Sequence, residues 1–244
     1  MPTSTSAFIR THLLLVPGMF ALAGLLAHNT SLDRALATVF YDPAIANFPA
    51  HTWNTLELFG HHFAKSAVTM VWLMLLLVAI SVSLWPQWRP QWARHRNAFW
   101  VTVIGMAMGP LTVVMLKGMN AYQCPWNLRE FGGGADFSSG WFVAASQAGY
   151  CFPGGHAASG FSLIALYFLA RHMDELRLAR GLLGLTLLVG ASFSLIRMAQ
   201  GAHFLSHNLW AAAICWFVAA LAFLPLRWPL RRARPVWISD ESAG

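Results

Sequence analysis

The chain has 244 residues, of which 57% are hydrophobic and only 10% charged, with a mean hydropathy of +0.52. These proportions exclude an ordinary soluble globular domain and make a polytopic membrane protein the default reading. The 16 Lys and Arg outnumber the 9 Asp and Glu to give a net charge of +7, but no alternation of basic and stacking aromatic residues marks a nucleic-acid groove, so no nucleic-acid partner is expected.

Taken in chain order, six stretches are apolar enough to span a bilayer: about 11–27, 66–85, 98–116, 157–170 extended upstream, 181–197 and 206–226. The fold class expected is all-α, six transmembrane helices in one bundle with an outward-facing loop domain, the whole of 1–244 forming a single membrane domain. The first stretch, with Arg10 before a short apolar run containing Pro17, could also be read as a signal peptide. No convincing small-x-small cleavage site follows it, and losing it would leave an odd number of spans.

Between the first two stretches, about 28–64 carries Asp33, Arg34, Asp42, Pro43 and Glu57, with an interfacial helix expected around 52–63. The connection 118–155 includes Gly132, Gly133 and Gly134 and is long for a structureless loop, which points to function or partial folding. Two of the three cysteines, Cys124 and Cys151, lie in it. Facing an oxidising compartment they could close a loop worth roughly 3 kcal/mol, or remain two thiols. Cys215, within the last apolar run, reads as a small buried apolar residue.

Eleven of the sixteen cations sort into the N-terminus (Arg10), two alternate connections (Arg89, Arg94, Arg96; Arg171, Arg177, Arg180) and the C-terminal tail (Arg227, Arg231, Arg232, Arg234). If these segments are cytoplasmic, six spans satisfy the positive-inside rule with both termini inside. Tryptophans near these arginines, such as Trp85, Trp88, Trp92 and Trp228, read as an interfacial aromatic belt.

The remaining connections carry the chemistry. Lys117 ends the third stretch, Gly154, Gly155 and His156 open the fourth, and Arg197 and His203 flank the short turn between the last two. Alternating sides place all of them on the outer face. Each has a bland alternative: Lys117 a snorkelling cation, Pro153–His156 a turn with an interfacial histidine. Together they suit a phosphate, because two cations neutralise its oxygens, glycines at a helix start admit it to backbone N–H groups, one imidazole attacks phosphorus and another protonates the leaving oxygen. His203 and His207, four apart on a helix, could share a zinc ion. The protease form of that motif needs Glu where Phe204 stands, and no third ligand is evident, so neither metal nor cofactor is expected.

Three motifs carry a family resemblance. Lys117-GMNAYQ-Cys124-Pro125, Pro153-Gly154-Gly155-His156 and Ile196-Arg197-MAQGA-His203-FLS-His207 resemble, in spacing, the Lys-x6-Arg-Pro, Pro-Ser-Gly-His and Ser-Arg-x5-His-x3-Asp signature of the type 2 phosphatidic acid phosphatase superfamily, over roughly residues 66–226. The resemblance implies metal-free phosphoryl transfer on the outer leaflet: Lys117 and Arg197 clamp the phosphate, His203 forms a phosphohistidine, and His156 protonates the leaving group.

Four positions depart from the signature: Cys124 for arginine, Gly154 for serine, Ile196 for serine, and His207 for the orienting aspartate. Arg129 is a candidate to replace the lost cation. Tautomer control of His203 would fall to a neutral His207, or to Glu130 or Asp136 reaching in. The function expected is an integral membrane phosphatase acting on a lipid phosphate or pyrophosphate in a bacterial inner membrane, its site on the periplasmic or extracellular face. The alternatives are a lipid-to-lipid phosphotransferase, or a catalytically degenerate relative that binds phospholipid or a partner protein.

Overall fold

The computed structural model describes residues 5–53 and 64–226. The expected interfacial helix around 52–63 lies almost wholly outside these residues, as do Glu57, Trp228 and the arginines of the C-terminal tail.

Five described helices are long and apolar enough to cross a membrane: α1 (Thr5–Asn29), α3 (Ala64–Leu84), α4 (Arg96–Lys117), α7 (Leu176–Ala199) and α8 (Leu205–Phe223, extended by a tight turn to Leu226). A short helix, α2 (Leu32–Phe40), follows α1. The stretch expected as a fourth span forms two helices instead, α5 (Gly155–Phe161) and α6 (Ile164–His172). Small and hydroxylic residues explain the break. Ser159 Oγ donates to His156 O at 2.9 Å and Ser162 Oγ to Ser159 O at 2.7 Å, while Leu163 N–H reaches only three residues back, to Gly160 O. Such back-bonding and tightening bend a helix between two turns of regular ladder. No strand forms among the described residues, only isolated bridges such as Asn120 with Trp141.

The α5–α6 pair is the buried centre of the bundle. Ala157, Ala158, Ala165 and Phe168 are fully enclosed, with α5 against α7 and α8, and α6 against α4 and α7. α8 packs in turn on α1 and α4. Lipid tails are as apolar as leucine, so hydrophobicity does little to hold such helices together, and close approach through small residues does more. A Cβ on Gly105 would touch the Ala219 backbone, one on Gly109 would press on Cys215, and one on Gly160 would meet the Gly190 backbone. Cys215 is buried at that contact, its sulfur 3.3 Å from Ala158 O. Below this seam Phe8, Phe99, Phe168, Trp216 and Phe223 fill the opposite half of the bundle.

The charges divide by end. His95, just before α4, lies 5.4 Å ring to ring from His172 at the close of α6, so the connections carrying Arg89, Arg94 and Arg96 and Arg171, Arg177 and Arg180 share one end. The C-terminus of α4, the start of α5 and the α7–α8 turn share the other. There the connections have a small core of their own, in which Ala37, Phe48, Leu128, Phe131 and Phe204 are buried together. The long loop 118–155 is folded rather than loose. Asn120, wholly buried, donates to Leu116 O (2.7 Å) and Phe152 O (2.8 Å) and accepts from Tyr122 N–H (3.1 Å), pinning the end of α4 to the segment that leads into α5.

Candidate active site

The α7–α8 turn is built around the carbonyl of Arg197, which accepts N–H bonds from Ala202 at 2.9 Å and His203 at 3.3 Å. Gly201 has a φ of +70°, a backbone conformation glycine adopts without strain, and any side chain there would strike the Phe48 ring. Gly201 O accepts from Trp126 N–H at 3.0 Å. The Trp126 ring is stacked on His51 at 4.5 Å and carries the Arg197 guanidinium 5.6 Å from its centroid, while Arg197 Nη1 donates to Gln200 Oε1 at 2.8 Å. The arginine head is therefore held from two sides at the mouth of the turn.

Lys117, half-buried at the end of α4, donates to Tyr150 O at 3.4 Å. Its ammonium also lies against the first residue of α5: a Cβ on Gly155 would come within 3.5 Å of Lys117 Nζ, so glycine leaves room for the cation over the helix start. Gly154 fits for a different reason. Its N–H donates to His207 O at 2.9 Å, and a side chain there would collide with Asn208 Oδ1. A serine here, as in the family signature, would require Asn208 to move.

His203 is buried among these groups. Burial, then the charges of Lys117, His207, Arg197 and His156 in falling order, holds its imidazole well below the ordinary histidine value. It is neutral near pH 7 and so has a nitrogen lone pair available for attack. One polypeptide turn, the end of α4 and the start of α5 thus bring Lys117, His156, Arg197 and His203 together.

The other candidates divide. His207 is buried, its ring 5.8 Å from that of His203 and edge-on to Phe152 and Phe204. Cys124 and Cys151 are joined in a disulfide with a Cα–Cα distance of 5.2 Å. Arg129 stands outside the site, exposed, its Nε 3.2 Å from Asp136 Oδ1 and bonded to Gly134 O. Glu130 pairs with Arg34 at 3.3 Å. Arg129 and the two carboxylates thus pair within this segment or with Arg34, in a stretch that the Gly132–Gly134 turn folds back on itself beside α2.

Sequence reasoning did not single out Asp33 for the site. It is buried at the head of α8, its carboxylate accepting the N–H of Ser206 at 2.9 Å and the Ser206 hydroxyl. Burial pushes this carboxyl up, and the Ser206 bonds oppose the shift. The geometry is that of a helix cap delivered from a distant helix. Its one sequence signal was an acidic residue beside Arg34 in the connection that follows the first apolar run. Among the described residues, Cys124, Cys151 and His203 are the group whose donor atoms lie close enough for a metal, all within 4.8 Å of one another. The two sulfurs are bonded to each other, which leaves no thiolate to ligate one.

A family model described as the PAP2 superfamily matches residues 98–232, more than half of the chain. The chain belongs to the PAP2 superfamily. No curated protein and no solved structure matches it. The match takes in all three motifs, from Lys117 to His207, and leaves out α1, α2 and α3. Membership of PAP2 and the apolar helices together support a membrane-embedded phosphatase.

Proposed function

We propose that this PAP2 protein hydrolyses a lipid phosphate or lipid pyrophosphate at the outer surface of the membrane through a phosphohistidine. The observation that carries the reading is the gathering of Lys117, Arg197 and His156 around a buried, neutral His203. With two cations on its non-bridging oxygens, the phosphorus is open to in-line attack by the bare nitrogen of His203. As the N–P bond forms and the P–O bond breaks, the leaving oxygen takes a proton from His156. Water then attacks the phosphohistidine with His156 as base, and inorganic phosphate departs while His203 is restored neutral.

The position of the cluster supports a lipid substrate. Lys117, Arg197 and His203 stand at the ends of helices long and apolar enough to span, with His156 on the short α5 beside them, an arrangement that suits a membrane phosphate arriving laterally at headgroup level. The positive-inside rule, applied to the arginines of the opposite end, supports a cytoplasmic assignment for that end and hence an outer site. Candidate headgroups are an isoprenoid pyrophosphate, phosphatidic acid, phosphatidylglycerophosphate and the phosphates of lipid A.

The test is phosphate release by purified protein from each of these lipids, with His203→Ala as control. Release from at least one lipid without an acceptor, lost in the variant, supports the reading. Release only when a second lipid is supplied means phosphotransfer. Lipid binding with no release means a non-catalytic relative, an outcome made concrete by the missing arginine at 124.

A further inference from the structure

The Cys124–Cys151 bridge touches the nucleophile. Cys151 Sγ lies 3.4 Å from His203 Nδ1, and both residues are buried. An N···S distance of this size is that of a hydrogen bond to sulfur. Among the described residues, the carboxylates of the outward connections are engaged elsewhere: Asp33 with Ser206, Asp42 with the Ala44 N–H, Glu130 with Arg34 and Asp136 with Arg129. A bridged sulfur carries no proton and can only accept. A thiol in the same place has a proton to give, either to Ala202 O at 3.0 Å from the sulfur or to Nδ1; donation to Nδ1 would put the ring proton on Nε2, the nitrogen that has to be bare for attack.

We propose that the disulfide sulfur of Cys151 is the positioning group for His203, holding its proton on Nδ1 and leaving Nε2 free, so that the oxidised bridge sets the nucleophilic tautomer. The inference rests on the phosphatase reading for its catalytic consequence, not for its structural content. The bridge then works as a redox-dependent element as well as a staple. A dithiol reductant transfers its two sulfur-bound hydrogens to Cys124 and Cys151 and closes to its own disulfide. The Cys151 thiol left behind has both Nδ1 and Ala202 O within reach as acceptors, and the switch requires that it donate to Nδ1.

The experiment uses full-length protein with ¹⁵N-labelled histidine in lipid nanodiscs, the His203 signals assigned by their loss in His203→Ala. The oxidised protein is expected to show His203 with Nδ1 protonated and Nε2 bare. Adding dithiothreitol should move the proton to Nε2. EDTA is included because freed Cys124, Cys151 and His203 place three soft-metal donors within 4.8 Å. His203 protonated on Nε2 in the oxidised protein, or unmoved by reduction, overturns the proposal. This readout needs no turnover, so it stands apart from any failure of the phosphatase reading.

Where the protein is active, two variants separate positioning from stapling. Cys124→Ser breaks the bridge and leaves a thiol at 151, whereas Cys124→Ala with Cys151→Ala breaks it and leaves no sulfur. Cys124→Ser should lose at least about tenfold in kcat with KM unchanged, and the double variant should lose less. Equal losses that track the fall in melting temperature would reduce the bridge to a staple and overturn the proposal.

Discussion

Gly154 and Asn208 occupy one space: a side chain on the glycine would run into Asn208 Oδ1. The departure from the family's serine at 154 is therefore coupled to a residue one position beyond the third motif. Gly154→Ser should cost about 1–3 kcal/mol of stability as an overpacked buried site. Adding Asn208→Ala should recover most of that loss. Thermal unfolding of the two single variants and the double reads the coupling directly, and additive losses would refute it.

The pH behaviour of His203 has a definite sign. Its value in the folded protein is lowered by burial first and then by Lys117, while the unfolded chain titrates near 6.5. The folded state therefore binds fewer protons, so its stability contribution is present above about pH 6.5 and is lost as pH falls below it. Turnover should hold through pH 6.5, with the acid limb of kcat/KM displaced below it. A limb centred at the ordinary histidine value would show that His203 is solvated in the working enzyme.

His156→Ala should abolish hydrolysis of lipid phosphates yet lose far less with an activated aryl phosphate, whose leaving group departs without a proton. His203→Ala should abolish both. Equal sensitivity of the two substrates to His156→Ala would remove it from the acid role. Rates of phosphate release on matched, folded preparations decide the matter.

The two arginines should separate cleanly. Arg129, exposed and paired with Asp136, should tolerate alanine with less than about a twofold change in rate, as expected of a surface ion pair. Arg197→Lys should lose roughly a hundredfold, because an ammonium cannot reproduce the guanidinium held between Gln200 and Trp126. A damaging Arg129→Ala would mean that the 129–136 turn rearranges onto substrate.

Chelators should leave the oxidised enzyme's rate unchanged, because the cluster works by two cations and two imidazoles. Loss of activity in EDTA that zinc alone restores would point to metal chemistry instead.

Long apolar runs were legible because a bilayer demands them. The expected stretches near 66–85, 98–116, 181–197 and 206–226 coincide with α3, α4, α7 and α8, and the first run extends back to Thr5. The stretch at 157–170 was read as a continuous span, but Ser159, Ser162 and Gly160 divide it, a local effect that an apolarity count averages away. Motif spacing pointed to Lys117, His156, Arg197 and His203 because each stands at a chain turn whose depth the topology fixes. Arg129 could be named only as a candidate, because a glycine turn has no depth constraint in sequence and the ion pair it makes with Asp136 is local. Asp33, Asn120 and Asn208 were out of reach for the opposite reason: each acts on a partner set by tertiary packing.

The Asp33 cap ties residues outside the family match to the helix that begins just after His203. A fragment trimmed to residue 98 would keep every signature motif, yet it would strip the Ser206 amide and hydroxyl of their acceptor at the head of the last helix. Expression or directed-evolution work should therefore retain α1 and α2 along with the recognisable portion.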